Sequence, residues 1–131
     1  MGNYSRQREE IIRIIRQMSK VPSAEEIYFK AKKEDPAISK STVYRNLIYF
    51  VKNGVLIPIP CLNGPDRYFY KNDNRNYGFV VCEKCGNIQE FVCDFDMTSF
   101  QENLFKQIGT TILKKEMLLK CICEECKLKL E

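Results

Sequence analysis

Among the 131 residues of this chain there is no histidine. That single absence removes whole classes of chemistry: histidine general-base catalysis, Ser-His-Asp and Cys-His nucleophiles, and every imidazole metal ligand. No apolar run approaches the ~18 residues that a membrane-spanning helix needs. The opening Met1-Gly2-Asn3-Tyr4-Ser5-Arg6 also lacks the apolar centre of a signal peptide. A cytoplasmic protein with no membrane contact is expected, and it is not expected to be an enzyme. Internal repeats and low-complexity tracts are missing as well. An apolar share of 44% beside 29% charged residues excludes disorder. The length suits one domain or two very small ones.

What the chain does have is an uneven charge and seven cysteines. Residues 1–72 carry 13 basic and 7 acidic side chains, whereas residues 73–131 carry 8 basic and 10 acidic. A basic half beside a mildly acidic one suggests that one part meets a polyanion, although a solvated basic face would give the same count.

Apolar spacing divides residues 1–72 into three helices and a hairpin. Ile11, Ile12, Ile14, Ile15 and Met18 recur at helical spacing, predicting a helix from about Ser5 to Met18. Ser23 and Glu26 form a capping box that starts a second helix, which Asp35-Pro36 stops near Glu34. Ser39 caps a third, with Val43, Leu47, Phe50 and Val51 on its buried face and Asn53-Gly54 at its end. Val55 to Pro60 tolerates proline only as an edge strand, Asn63-Gly64-Pro65-Asp66 is a turn, and Arg67 to Tyr70 returns. Three helices and such a hairpin outline a winged helix-turn-helix.

The polar stretch Lys71 to Asn76 is the best boundary, giving domains 1–72 and 73–131 and an α+β protein overall. Beyond it, Tyr77 to Val81 and Ile88 to Val92 read as strands. Phe95 to Ile108 reads as a helix ended by Gly109, Thr110 to Leu119 as a third strand, and Cys123 to Leu130 as a terminal helix.

Cytosolic thiols stay reduced, so cysteine spacing there points to metal or redox chemistry. Cys82-x-x-Cys85 and Cys123-x-x-Cys126 each hold two thiolates at the separation a tetrahedral zinc needs, and together they supply four ligands. The 37 intervening residues exceed the roughly 15–20 of a compact ribbon, so zinc would staple a larger α/β unit. Two rivals stand beside this reading: four thiols packed as small hydrophobes, and a thioredoxin-like redox pair. Cys61, Cys93 and Cys121 are either idle thiols or a redox or secondary metal cluster, which would draw on carboxylates such as Asp73, Glu90 and Asp94.

The chain resembles the ferric uptake regulator family of bacterial repressors. The matching segments run in order: Ser5-Arg6-Gln7-Arg8, Pro22 to Tyr28, Ile38-Ser39-Lys40-Ser41-Thr42-Val43-Tyr44-Arg45-Asn46-Leu47, Gly54, Arg67-Tyr68, Cys82 to Gly86, and Cys123-x-x-Cys126. The resemblance implies a homodimeric DNA-binding transcription regulator. Each subunit would pair a winged helix with a small C-terminal α/β dimerisation domain, whose structural zinc sits on four cysteines. Members sense Fe(II), Mn(II) or Zn(II) through a histidine-rich second site. Here the corresponding segment is Tyr77-Gly78-Phe79-Val80-Val81, Val21 stands where histidine is common, and Phe69 stands where an acidic ligand is common. An Fe(II)- or Mn(II)-regulated site is therefore not expected, and much of the family's leading helix is expected to be missing.

On this reading the third helix enters the major groove of an inverted-repeat operator. Lys40, Ser41, Thr42, Tyr44 and Arg45 contact bases and phosphates, and Arg67 reaches the backbone from the hairpin. Arg6 and Arg8 either touch phosphates or are merely solvated; Tyr44 could instead be a core aromatic, and Arg45 a plain surface charge. A zinc-stapled dimerisation or adaptor protein without DNA affinity, and a thiol redox sensor, remain alternatives.

Overall fold

The computed structural model describes residues 2–61, 64–113 and 115–130, the side chains of residues 2–4 and 130 excepted. Two compact units divide the chain, Met1–Asp73 and Asn74–Glu131.

The first unit is a winged helix-turn-helix. Helix α1 (Gly2–Gln17) starts three residues before the expected Ser5 and turns Ile11, Ile14 and Ile15 inward at i, i+3 and i+4. Helix α2 (Ala24–Glu34) begins at Ser23 with the complete capping box: the Glu26 N–H donates to Ser23 Oγ at 3.2 Å, and the Ser23 N–H donates to Glu26 Oε1 at 3.1 Å. Helix α3 (Lys40–Lys52) is capped by Ser39, whose Oγ accepts from the Thr42 N–H. Its buried face is Val43, Asn46, Leu47 and Phe50, packed with Ile11, Ile27, Ala31, Ile38 and Leu56 into one core.

Two strands complete the unit, β1 (Leu56–Ile59) and β2 (Arg67–Tyr70), antiparallel with Leu56 opposite Tyr70. The turn expected between them includes Asn63, which lies outside the described residues. The hairpin is fastened to the start of α2. The Tyr68 N–H donates to Pro22 O at 2.8 Å, while Arg67 Nη1 donates to Val21 O at 3.0 Å and to Glu26 Oε1 at 3.1 Å.

The second unit is a three-stranded sheet with two helices. Strands β3 (Tyr77–Cys82) and β4 (Ile88–Val92) form an antiparallel hairpin. Helix α4 (Thr98–Ile108) follows, then β5 (Met117–Cys121) parallel to β3, then α5 (Glu124–Leu130), giving sheet order β4-β3-β5. Gly78 allows close packing here, since a Cβ at that position would lie 2.3 Å from Cζ of the Phe91 ring.

In the second unit, α4, α5 and β5 have boundaries other than those read off the sequence. Phe95 precedes α4 rather than joining it, and Cys123 precedes α5. The strand expected over Thr110 to Leu119 is Met117–Cys121: pairing with β3 begins at Gly78 opposite Met117, and β3 offers almost nothing further upstream to pair with. Lys114, within the expected span, lies outside the described residues.

Candidate metal centre and nucleic-acid interface

Four cysteines converge at one end of the sheet. Cys82 ends β3, Cys85 lies in the turn to β4, and Cys123 and Cys126 flank and enter α5. The β3–β5 pairing brings the two segments together, with Cys82 opposite Cys121 and the Glu83 N–H donating to Cys121 O at 2.9 Å. Each knuckle is closed by its own backbone bond: Gly86 N–H to Cys82 O and Lys127 N–H to Cys123 O, both 2.9 Å. Gly86 takes φ +77 to fold the first knuckle back, a conformation that only glycine adopts freely.

The Sγ atoms of Cys82, Cys85, Cys123 and Cys126 all lie within 4.8 Å of one another. A tetrahedral zinc at about 2.3 Å from each sulfur needs thiolates about 3.8 Å apart. The Cys85 and Cys123 sulfurs stand at 3.7 Å. The donor set and spacing fit a structural zinc. Among the described residues this is the one group of three or more cysteine or carboxylate side chains close enough to share an ion.

Electrostatics separate the four thiols. Backbone N–H donation, from Cys123 first and from Cys85 and Lys84 as well, holds the buried Cys82 thiol down at about 6 against its desolvation. Cys126 is pushed up to about 12 by its bond to Cys123 and by burial. One thiolate is thus provided chiefly by backbone amides, with the Cys85 thiol adding a bond, whereas a dication would have to displace the proton from Cys126.

The other three cysteines do not join them. Cys93 is buried, its N–H donating to Asn76 O at 2.7 Å. Cys121 is half-buried beside the cluster, its thiol raised by burial first and then by the neighbouring sulfurs. Cys61 follows the wing strand β1, with Sγ 3.7 Å from Ile59 O.

The second candidate surface is the outer face of α3, a helix with no acidic residue. Ser41, Tyr44 and Arg45 are exposed on it, Tyr44 at 42%, so Tyr44 is not a core aromatic. Lys40 is exposed too, with Nζ 5.7 Å from the centre of the Tyr28 ring. Thr42 is half-buried, its Oγ1 2.9 Å from Ser39 Oγ and 3.4 Å from Arg45 Nη2, which ties it to the helix cap. Arg6 is exposed, whereas Arg8 is half-buried and stacks its guanidinium 3.7 Å over the Tyr49 ring. Arg67 is held by Val21 and Glu26, a structural use of its charge. Nearby, burial and then Asp66 and Tyr44 raise the Tyr68 hydroxyl, so the wing presents it as a neutral donor.

Two α3 residues escaped the sequence reading. Asn46 is buried, its amide donating to Thr42 O at 2.7 Å; the spacing 43, 46, 47, 50 marks it, although its polarity argues the other way. Ile48 is the opposite case, apolar but 68% exposed on the same face as Ser41, Tyr44 and Arg45.

A family model described as the ferric uptake regulator family matches residues 2–120. The peroxide-responsive repressor PerR of Staphylococcus epidermidis is 27% identical over 92% of this chain and 79% of its own length. The peroxide stress regulator of Campylobacter jejuni superposes with a TM-score of 0.75 at 30% identity, over 95% of this chain and 91% of that one. The Helicobacter pylori ferric uptake regulator, described as having three functional metal-binding sites, gives a TM-score of 0.74 at 25% identity, over 93% and 80%.

Proposed function

This chain belongs to the ferric uptake regulator family, and from that premise we propose that it is a homodimeric, sequence-specific repressor of transcription that binds double-stranded DNA. The observation that carries the reading is the outer face of α3: Ser41, Tyr44 and Arg45 exposed together on a helix without an acid, held by an apolar core behind it. Such a helix fits the major groove, where hydroxyl, phenol and guanidinium reach base edges and phosphates. Lys40 and Arg6 add cations for phosphate, and Thr42 and Arg67 serve by holding the helix cap and the wing.

In the second unit, α4 buries none of its residues, with Phe100, Phe105 and Ile108 exposed along it, and Leu118 and Leu119 of the edge strand β5 are exposed as well. That much apolar surface supports pairing with a second copy. Cys82, Cys85, Cys123 and Cys126 would hold one structural zinc per subunit, whose Lewis acidity keeps all four thiols ionised. The family's histidine-based sensing site has no imidazole to draw on in this sequence, so Fe(II) and Mn(II) should leave operator affinity unchanged. No helix among the described residues is long and apolar enough to cross a membrane.

Titration of Arg45→Ala and Tyr44→Ala against an operator duplex, with melting curves as control, tests the reading. Loss of about 1–3 kcal/mol per half-site without loss of stability is expected if Arg45 reads a base. Unchanged affinity in both variants would take α3 out of the interface and leave a zinc-stapled adaptor.

A further inference from the structure

Among the described residues of the first unit, Ile48 is the most exposed large apolar side chain, at 68%. Single exposed hydrophobes are ordinary on protein surfaces; the place of this one is not. The buried residues of α3 are Val43, Asn46, Leu47 and Phe50. Opposite them, Ile48 stands seven residues after Ser41, four after Tyr44, three after Arg45 and four before Lys52, all of them exposed. Helical neighbours lie at just these spacings. Ile48 is therefore an apolar side chain exposed among Ser41, Tyr44, Arg45 and Lys52, with the half-buried Val51 as its remaining i+3 neighbour, and it lies about 6 Å along the axis beyond Tyr44.

We infer that Ile48 is a specificity-determining residue that reads the 5-methyl group of a thymine in each operator half-site. The inference rests on the DNA-binding reading above and adds a residue and a base identity to it. An aliphatic side chain can neither donate nor accept a hydrogen bond, so within a groove it gains only where it meets an apolar feature. In the major groove that feature is the thymine C5-methyl group, which neither guanine, cytosine nor adenine offers. A bare cytosine edge at the same step would bring Ile48 against an amino group and its water, with no compensating bond. The short, stiff side chain also has little rotamer freedom to lose on docking.

The test removes the methyl and nothing else. The intact protein first enriches a duplex from a random pool. Each thymidine of that duplex is then replaced by deoxyuridine in turn, and affinities are measured for the native protein and for Ile48→Ala. Burying one methyl group corresponds to about fourfold in affinity, or roughly fifteenfold when both half-sites are changed. The native protein should lose that factor at one thymine per half-site, and Ile48→Ala should lose nothing at the same thymine. Ile48→Val, which keeps a branched apolar contact, should retain most of the discrimination. A pool that enriches, followed by equal deoxyuridine losses in native and Ile48→Ala proteins, or by no loss at any thymine, overturns the role of Ile48 alone. A pool from which no sequence emerges overturns the DNA-binding reading and this inference with it.

Discussion

In Met1–Asp73, three helices and a hairpin close over Ile11, Ile14, Ile15, Ile27, Ala31, Ile38, Val43, Leu47, Phe50 and Leu56. Among the described residues of Asn74–Glu131, the buried apolar side chains are Phe79, Cys82 and Cys93, while Phe95, Phe100, Phe105, Ile108, Leu118, Leu119 and Leu128 stay exposed and Leu113 is almost wholly so. The first unit stands on its own burial. The second has as many apolar residues as a core requires but leaves them outside, with four sulfurs gathered where the two chain segments meet. A small unit that cannot close a core needs a metal or a second copy to hold it, and the function proposed above would give this one both.

The sharpest way to break that contrast is to strip the metal. Thiolate zinc sites contribute on the order of 10–16 kcal/mol to the folding of small domains. Chelation, or Cys123→Ser, should abolish hydrogen-exchange protection in β3, β4 and β5 and dissociate dimers, while amides of α1 to α3 keep their protection. Protection that survives in β3 would mean that the second unit has a sufficient core of its own.

Next in size is the converse change. Leu47→Ala removes a fully buried side chain from the first unit and should cost about 2–5 kcal/mol in denaturant titrations, with zinc content unaltered. A smaller effect is expected from Gly78→Ala, where the new Cβ forces the Phe91 ring off its strand; about 1 kcal/mol is expected, and it should shrink when Phe91 is also replaced by leucine.

The smallest effect is a proton count. In the zinc-free protein Cys82 is already a thiolate above about 6, whereas Cys126 holds its proton to about 12. Zinc loading at neutral pH should therefore release fewer than four protons, and the number should rise by about one as the pH is lowered through about 6. Calorimetry in buffers of differing ionisation enthalpy reads it. A count independent of pH in that range would show that the backbone amides do not hold Cys82 ionised.

The same contrast governs what the sequence disclosed. In the first unit, local signals coincide with local structure: Ser23 and Glu26 box the start of α2, Ser39 caps α3, and the proline-bearing edge strand pairs as β1. The C-x-x-C pairs likewise announce their own convergence, because each knuckle is a local device. In the second unit, partners far along the chain decide. Thr110 to Glu116 has strand-like composition, yet a strand forms only where β3 lies alongside. The first unit has long-range contacts of this kind too: Arg8 meets Tyr49 across forty residues, a stacking that no spacing rule could indicate. Apolarity alone does not tell that Ile48 faces outward; its offset from 43, 46, 47 and 50, which puts it on the other side of α3, does.

Glu26 spends one carboxylate oxygen on two tasks, the first turn of α2 and the arginine of the wing. Drift at this position is therefore filtered twice. Glutamine would still accept from the Ser23 N–H but would forfeit the charge that attracts Arg67, aspartate is a methylene short for both, and lysine would repel the wing outright. Glu25, exposed beside it, answers only to the dipole of its own helix. Across descendants of this chain, the start of α2 and the tilt of the hairpin should thus change together or not at all, inherited as one trait although more than forty residues separate Ser23 from Arg67 in the sequence.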